Sequence, residues 1–438
     1  MPPDRLPGLP ELAPRWRGGI IEFPVHHMRG GTSTGLVLWE RHVPADRALR
    51  EELLRHLMGL PLEGERRGNK QISGLGRGVP TSNKVFFADM ESDGAGGVRL
   101  VSTLAQLAAE TAAIDWNVNC GNLSAALPLW ALDTGLAEMH APGVFEIEIR
   151  NTNTGVLAGS RMRLGVHGAA VAAEIPGVDG AFPAVDLFLH APAGAKTGRL
   201  LPTGRVRDLV AGHEASCVDV AVPMVILRAS DFGKTATEAP AALDADAAFK
   251  AVLREVWVEA GLLMGLANRD GSKMTAAQLG RSETVPKVCI VGPPRGGGHI
   301  SVRYFTPQSA HGSMAVTGGC CLAAAALIEG SIAHEQARGL ALPGAAFAET
   351  GVDIENPAGV LAATVDARIG DARVGDARVG DARLGDVRIG ETGLEVRKAA
   401  YQRSAQILLR GQVPLYRASP ALVTAMEQII DGTVELAA

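Results

Sequence analysis

Residues 117–126 read NVNCGNLSAA, and they place a cysteine between two asparagines directly before a segment of helical character. The N–H groups of a first helical turn have no partners within the helix, so this end carries partial positive charge. A thiol placed there is favoured as a thiolate and can exchange protons near neutral pH. Cys120 is therefore a candidate acid or base, with Asn119, Gly121 and Asn122 as candidate carboxylate contacts. The alternative is a cysteine that only packs in the core.

A similar helix entrance, AVTGGCC (315–321), lies in the second half of the chain and opens an apolar helical segment. Each half contains a strand, a glycine-rich turn and an apolar helix. This pattern predicts two similar α+β domains that face each other across a cleft, with both helix entrances holding carboxylates. The candidate contacts here are Thr317, Gly318 and Gly319. His311, just upstream, can bind the anion or relay a proton, and an ordinary loop histidine is the alternative.

Two further segments adjoin apolar strands. MRGGTSTG (28–35) has the glycines and hydroxyls of a nest that binds anions, although a plain hairpin turn is the alternative. TSNKVFF (81–87) places Lys84 where partial desolvation suits a general base, and the alternative is a surface lysine at a strand end. The candidate substrate contacts in these segments are Arg29, Gly30, Gly31, Thr32, Ser33 and Ser82.

Composition excludes several classes of function. The net charge of −5 gives no basic field for nucleic acid, and five cysteines without a CxxC pair indicate neither a disulfide framework nor a zinc cage. The N-terminus lacks a signal-peptide core, and the most apolar stretch, 314–330, is too short to span a bilayer. We expect a cytoplasmic protein with no metal, no nucleic-acid partner and no membrane partner.

At 438 residues the chain is too long for one ordinary domain. We expect a disordered arm at 1–18, domains at 19–200 and 201–404, and a segment 405–438 that returns to the first domain. The pentapeptide repeat DARIG-DARVG-DARVG-DARLG-DVRIG, at 366–390, predicts a surface insert, either a hairpin arm or a flexible loop. A square β-solenoid is the alternative, but five copies make little more than one coil.

Taken together, these segments resemble the PrpF family of isomerases, which act on methylaconitate, methylitaconate and oxalomesaconate. The matching segments are MRGGTSTG, QISGLGRGVPTSNKV, NCGN, the spacing from Arg303 to His311 that leads into AVTGGCC, and IENPAG (354–359). The resemblance implies two diaminopimelate-epimerase-like domains, each a β-sheet or barrel around a central helix, with the active site in the interdomain cleft. It also implies a homodimer or a homotetramer, with neither favoured.

The resemblance further implies a cofactor-free 1,3-proton shift in an unsaturated di- or tricarboxylic acid. The family's acid/base lysine and cysteine fall on Lys84 and Cys120, and which of them is the base stays open. Related epimerases carry a second cysteine where this chain has Ala315-Val316-Thr317. Two alternatives remain: an epimerase or racemase that acts at one carbon, and a non-catalytic carboxylate-binding protein of the same fold.

Overall fold

The computed structural model describes residues 12–138, 142–166, 169–268, 270–370, 388–389 and 393–437. Its strands, in chain order, are β1 (Arg15–Arg17), β2 (Ile20–Gly30), β3 (Ser33–Trp39), β4 (Lys84–Ser92), β5 (Val98–Leu107), β6 (Ile114–Asp115), β7 (Gly143–Asn151), β8 (Leu157–Leu164), β9 (Ala172–Ala173), β10 (Phe182–His190), β11 (Asp208–Val210), β12 (His213–Val220), β13 (Val222–Arg228), β14 (Lys287–Gly292), β15 (Ile300–Phe305), β16 (Ala348–Asn356), β17 (Gly359–Ile369), β18 (Arg388–Ile389) and β19 (Leu394–Pro414).

Two of the longer helices begin at aspartate caps that can be recognised in the sequence. Asp46 accepts a hydrogen bond from the N–H of Leu49 at the first helix, and Asp246 accepts one from the N–H of Phe249 at the fifth. The helices are α1 (Arg47–Met58), α2 (Gly121–Ser124), α3 (Ala126–Asp133), α4 (Pro240–Ala245), α5 (Ala247–Leu263), α6 (Ala276–Leu279), α7 (Val316–Ala326), α8 (Ile332–Gln336) and α9 (Pro420–Ala437). The predicted α+β class is confirmed.

The chain divides into two compact units. The first comprises Met1–Glu174, Val178–Leu187 and Arg403–Ala438, and the second comprises Ile175–Gly177 and Phe188–Gln402. The sequence predicts that the first domain ends at residue 200 and the second at residue 404. In the structure, the main segment of the second unit runs from Phe188 to Gln402, and the first unit resumes at Arg403.

The predicted disorder of the arm 1–18 is wrong for Arg15–Arg17, which form β1. Residues 1–11 lie outside the described residues. Strand β1 pairs antiparallel with β2, with Trp16 opposite Ile21. Arg15 Nε also donates to a Glu22 carboxylate oxygen at 2.9 Å. Backbone pairing and this ion pair order a segment that its proline-rich surroundings suggested was loose.

The pentapeptide repeat is described only at its two ends. Asp366–Ile369 belong to β17 and Arg388–Ile389 form β18. Residues 371–387 and 390–392 lie outside the described residues, so the surface insert stays a prediction.

The two units repeat one plan of strand directions. In the first, the neighbours β2, β3, β4, β5, β7 and β8 are successively antiparallel, parallel, antiparallel, parallel and antiparallel. In the second, β12, β13, β14, β15, β16 and β17 give the same succession. In the first unit, α1 precedes the third strand of this order, and α2 and α3 follow the fourth. In the second unit, α4 to α6 precede the third strand, and α7 and α8 follow the fourth.

Each unit packs its sheet between an inner and an outer helix. In the first unit, α3 covers one face with Leu127 and Trp130 in its core, and α1 and α9 cover the other. In the second unit, every residue of α7 from Gly318 to Ala326 is buried in one core, and α5 covers the opposite face. The sheet-around-helix architecture implied by the resemblance is confirmed within each unit.

The IENPAG segment forms the turn between β16 and β17, and its glutamate is structural. The Glu355 carboxylate accepts hydrogen bonds from the N–H groups of Arg295, Gly296 and Gly298 and from the Ser301 hydroxyl. Burial alone would raise the pKa of Glu355, but these donors outweigh it and lower the pKa to about 2.

Glu355→Gln should therefore destabilise the protein in a pH-dependent way. Because the folded-state pKa is depressed, the stabilisation is complete above the unfolded value of about 4.5 and is lost as pH falls towards 2. We expect a loss of about 1–2 kcal/mol at pH 7, since the carboxylate is partly exposed. Denaturant unfolding at pH 7, 4 and 3 checks this: the difference between the two proteins should shrink below pH 4.5, and a constant difference would contradict it.

Candidate functional site

Side-chain alternation puts Lys84 on the inner-helix face of the first unit's sheet. Phe86 packs in the core that contains α3, whereas Val85 and Phe87 pack in the core that contains α1. Successive side chains of a strand point to opposite faces, so Lys84 shares the face of Phe86. Lys84 therefore lies on the side of the sheet that α2 and α3 cover.

A glycine between Lys84 and the cysteine helix lets them approach closely. Strand β3 runs parallel to β4 with Leu36 opposite Val85, so Gly35 adjoins Lys84. A Cβ at Gly35 would overlap the Lys84 carbonyl oxygen and lie 2.8 Å from Leu123 Cδ2. Only glycine allows both contacts.

Cys120 lies at the N-cap of α2, as predicted. Its Sγ lies 3.9 Å from Ser33 Oγ, which stands two residues before Gly35 on the same face of β3. Its Sγ also accepts the N–H of Leu123 at 3.5 Å, and its own N–H donates to Asn119 Oδ1 at 2.7 Å. The helical segment that follows Cys120 consists of two helices, 121–124 and 126–133.

Lys84 has a partner that the sequence analysis missed. Its Nζ donates to Gln106 Oε1. The Gln106 Nε2 donates to the carbonyl oxygens of Pro80, Asn83 and Leu107, at 2.9–3.1 Å. These three acceptors fix the amide so that its oxygen faces Lys84. No sequence signal indicated this contact: it follows from the antiparallel register of β4 and β5, which puts residue 106 opposite residue 84.

The first glycine turn is joined to α2 by a second missed residue, Arg403. Arg403 Nε donates to Asn122 Oδ1 at 2.8 Å, and Asn122 Nδ2 donates to Thr32 Oγ1 at 3.2 Å. A Cβ at Gly31 would lie 2.7 Å from Asn122 Oδ1 and 3.0 Å from Arg403 Cδ. The hairpin Gly30–Ser33 therefore fits against the helix entrance only with glycine at its tip.

Arg29 supports the glycine turn from the opposite face of the sheet. Strand alternation puts its side chain on the face opposite Ser33, and the residue is only 7% exposed. Its NH1 donates to the carbonyl oxygens of Gly31 and Ser404, at 2.9 and 3.0 Å. Arg29 therefore positions the backbone of the glycine turn, and its role as a substrate contact stays a prediction.

Ser82 ends a short 3₁₀ turn, Pro80–Ser82, and is half-buried just before Lys84. The preceding loop is fixed by the buried Gln71, whose Nε2 donates to Asn83 Oδ1 at 2.8 Å and to the Met58 carbonyl at 2.9 Å. Gln71 has a φ of 55°, so these bonds hold a left-handed conformation.

The candidate residues of the second unit gather at the start of α7. A Cβ at Gly318 would lie 2.5 Å from the Tyr304 ring, so this helical turn lies flat on the tyrosine, and Gly319 packs likewise on Tyr401. Thr317 precedes them and is half-exposed. His311 Nδ1 accepts the N–H of Ser313 at 2.9 Å. Burial, and then the charge of Lys287, lowers the pKa of His311.

The described residues contain no group of three or more His, Cys, Asp or Glu side chains arranged to hold a metal ion. They also contain no helix that is both long and apolar enough to cross a bilayer.

The sequence profile of the PrpF protein family matches residues 20–384 of the chain. The chain belongs to the PrpF family. It is 33% identical over 318 residues to 4-oxalomesaconate tautomerase from Pseudomonas putida, an alignment that covers 72% of this chain and 82% of that protein. It is 34% identical over 344 residues to YbhH from Escherichia coli strain K12, covering 78% and 90%. The expectation of an isomerase is confirmed.

The fold of this PrpF family member is also that of a solved relative. A crystal structure of methylitaconate-delta-isomerase superposes with a TM-score of 0.71 at 26% identity, covering 91% of this chain and 96% of that one. The predicted fold class is confirmed. No comparison tests the individual site residues, and their roles stay predictions.

The contact at Gly35 gives a prediction for this site. Gly35→Ala would place a methyl group against the Lys84 carbonyl and Leu123, which forces β4 and α2 apart. We expect a loss of about 1–3 kcal/mol of stability and a loss of isomerase activity that exceeds what unfolding explains.

The control is Gly351→Ala in β16, where a Cβ meets nothing within 4 Å. Thermal unfolding and turnover of both variants check the prediction. Equal effects of the two substitutions would show that the close packing at Gly35 is unimportant.

Proposed function

We propose that this PrpF protein catalyses a cofactor-independent 1,3-proton shift in an unsaturated di- or tricarboxylic acid, with Lys84 and Cys120 as the acid and the base. The proposal rests on one observation: Lys84 and Cys120 lie at the same face of the first unit's sheet. Lys84 adjoins Gly35, and Cys120 Sγ lies 3.9 Å from Ser33 Oγ, two residues away along the same strand. Two residues of a strand span about 7 Å, so one small acid can reach both groups.

The chemistry needs two positioned groups and no redox step. One group removes a proton from the carbon γ to a carboxylate, and the electron pair moves into the conjugated system as a dienolate. The other group returns a proton to the α carbon, so the double bond migrates and the atoms balance. Nothing in the geometry distinguishes the base from the acid.

The dienolate carries its charge into the carboxylate, and the first unit offers donors for it. The exposed Thr32, Gly121 and Asn119 surround the start of α2. Arg403, bonded to Asn122, adds positive charge behind them. Proton transfer by a positioned group contributes about 10²–10⁴-fold, so stabilisation of the dienolate must supply much of the remaining acceleration.

The substrate class rests on the relatives. One is named for 4-oxalomesaconate and another for methylitaconate. We infer a branched, unsaturated polycarboxylate of the aconitate, methylaconitate or oxalomesaconate type. Participation of His311 and Thr317–Gly319 in the same site, a cytoplasmic setting and a homodimer or homotetramer stay predictions.

An epimerase is disfavoured by one observation. Two-thiol epimerases need a second cysteine at the inner helix of the second unit, and the N-cap of α7 is Ala315. A non-catalytic binding protein of the same fold is the remaining alternative, and turnover distinguishes it.

Cys120→Ser and Lys84→Met should each lower kcat by about 10²–10⁴-fold, because each removes one proton-transfer group. Both side chains are half-exposed, so the melting temperatures should change little. Lys398→Met, on β19 of the second unit, is the matched control. Activity near the wild-type level in either site variant would refute that residue's role.

Solvent exchange tests the reaction type. In deuterated water, methylaconitate and oxalomesaconate should gain deuterium at an allylic carbon as the double bond migrates, which NMR detects directly. Label only at a stereocentre would indicate epimerisation. Binding without any exchange would support the non-catalytic alternative.

A further inference from the structure

Gln106 lies beside Lys84 because of strand register. Strands β4 and β5 are antiparallel, and Lys84 and Gln106 are directly opposite each other. Side chains of directly opposite residues lie on the same face of a sheet, so Gln106 shares the inner-helix face with Lys84. Lys84 Nζ donates a hydrogen bond to Gln106 Oε1. The pairing of the strands and the hydrogen bond therefore place the same amide beside the candidate acid/base group.

The orientation of the Gln106 amide is fixed by the backbone on its other side. Its Nε2 lies 2.9–3.1 Å from the carbonyl oxygens of Pro80, Asn83 and Leu107. Carbonyl oxygens only accept hydrogen bonds, so the NH₂ group faces them and the amide oxygen faces Lys84. A rotated amide would set its oxygen against three other oxygens. Gln106 is therefore held in one orientation.

The partner of Lys84 is an uncharged group. Within the part of the chain that the structure describes, Lys84 forms no ion pair with a carboxylate. The acid in the same cross-strand row is Asp115, opposite Gln106 on β6, and its Oδ1 accepts the N–H of Asn117 at 2.8 Å. A carboxylate bonded to an amino group favours the ammonium form and so opposes transfer of its proton. An amide oxygen orients the amino group without that opposing charge.

An amide oxygen accepts but does not donate, and this decides which proton of Lys84 can move. In both protonation states of the amino group, one N–H points at Gln106 Oε1. The proton that is exchanged is then one of the others, and the lone pair of the neutral amine points away from Gln106. The same orientation serves Lys84 as an acid and as a base.

We propose that Gln106 is a positioning residue for proton transfer: its fixed amide oxygen takes one N–H of Lys84 and directs the exchangeable proton, or the lone pair, towards the substrate. The inference rests on the proposed function, because it requires that Lys84 exchanges a proton with the substrate. Gln106 itself neither gains nor loses a proton, so the atom balance of the 1,3-shift is unchanged. A misplacement of a reacting group by about 1 Å can cost about 100-fold in rate.

The test is a double-mutant cycle of Gln106→Met and Lys84→Met in the full chain, with turnover of methylaconitate and oxalomesaconate followed by NMR in deuterated water over long incubations. Gln106→Met alone should lower kcat about 10- to 100-fold and change KM little, because the carboxylate contacts remain. In the Lys84→Met background it should have no further effect, because no amino group is left to direct. A role only in holding the turn at residues 80–83 would lower turnover equally in both backgrounds.

Gln412→Met is the matched control. Gln412 is also a half-buried glutamine on a strand of the first unit, and its Nε2 donates to the carbonyl oxygen of Ala13 at 3.1 Å. Its turnover should equal that of the wild type. If Gln106→Met loses its fold, as circular dichroism would reveal, Gln106→Asn replaces it in the same cycle with the same expected results, because its amide is one methylene shorter.

Wild-type kcat in the Gln106 variant, or an equal fold-loss in both backgrounds, would overturn the proposal. If Lys84→Met loses turnover while the Gln106 variant does not, only the role of Gln106 is refuted. Failure of the proposed function is a different outcome: it appears as full turnover in Lys84→Met, or as turnover of neither acid by the wild type, and the role of Gln106 is then refuted with it.

Discussion

The close approach of β3, β4 and the inner helix at Gly35 is the constraint on which the candidate site depends. The two candidate residues, Lys84 at the start of β4 and Cys120 at the start of α2, belong to different elements and lie 36 residues apart in the chain. They share one neighbour because residue 35 has no side chain to separate the Lys84 carbonyl from Leu123. Lys84 and Cys120 therefore lie at the same face of the sheet, an arrangement that the fold produces and no local motif can.

Features set by local chemistry were predictable from the sequence. The aspartates at 46 and 246 cap helices because their side chains accept first-turn N–H groups, and Cys120 takes the equivalent place at α2. Periodicity and glycine spacing likewise predicted the α+β class and the buried helix α7. These signals act over a few residues, so one sequence is enough to detect them.

Features that depend on distant pairing were not predictable. Gln106 reaches Lys84 through strand register, and Arg403 reaches Asn122 across 281 residues of sequence. The placement of Arg29 was not predictable for a related reason: strand alternation turns its side chain to the face opposite Ser33, and this follows only from the register of β2 and β3. The sequence contains the residue types that make these contacts, but the register of the strands decides which of them meet.

The segment Arg403–Ala438 completes the first unit. Strand β2 takes β19 as a neighbour, from Ala405 opposite Gly30 to Pro414 opposite Glu22. A nascent chain that has emerged only as far as the second unit therefore holds an open edge on β2 and lacks the arginine behind Asn122. A chain cut before Arg403 would therefore expose an aggregation-prone strand edge on β2 and lose the contact that Arg403 makes with Asn122 beside the glycine turn.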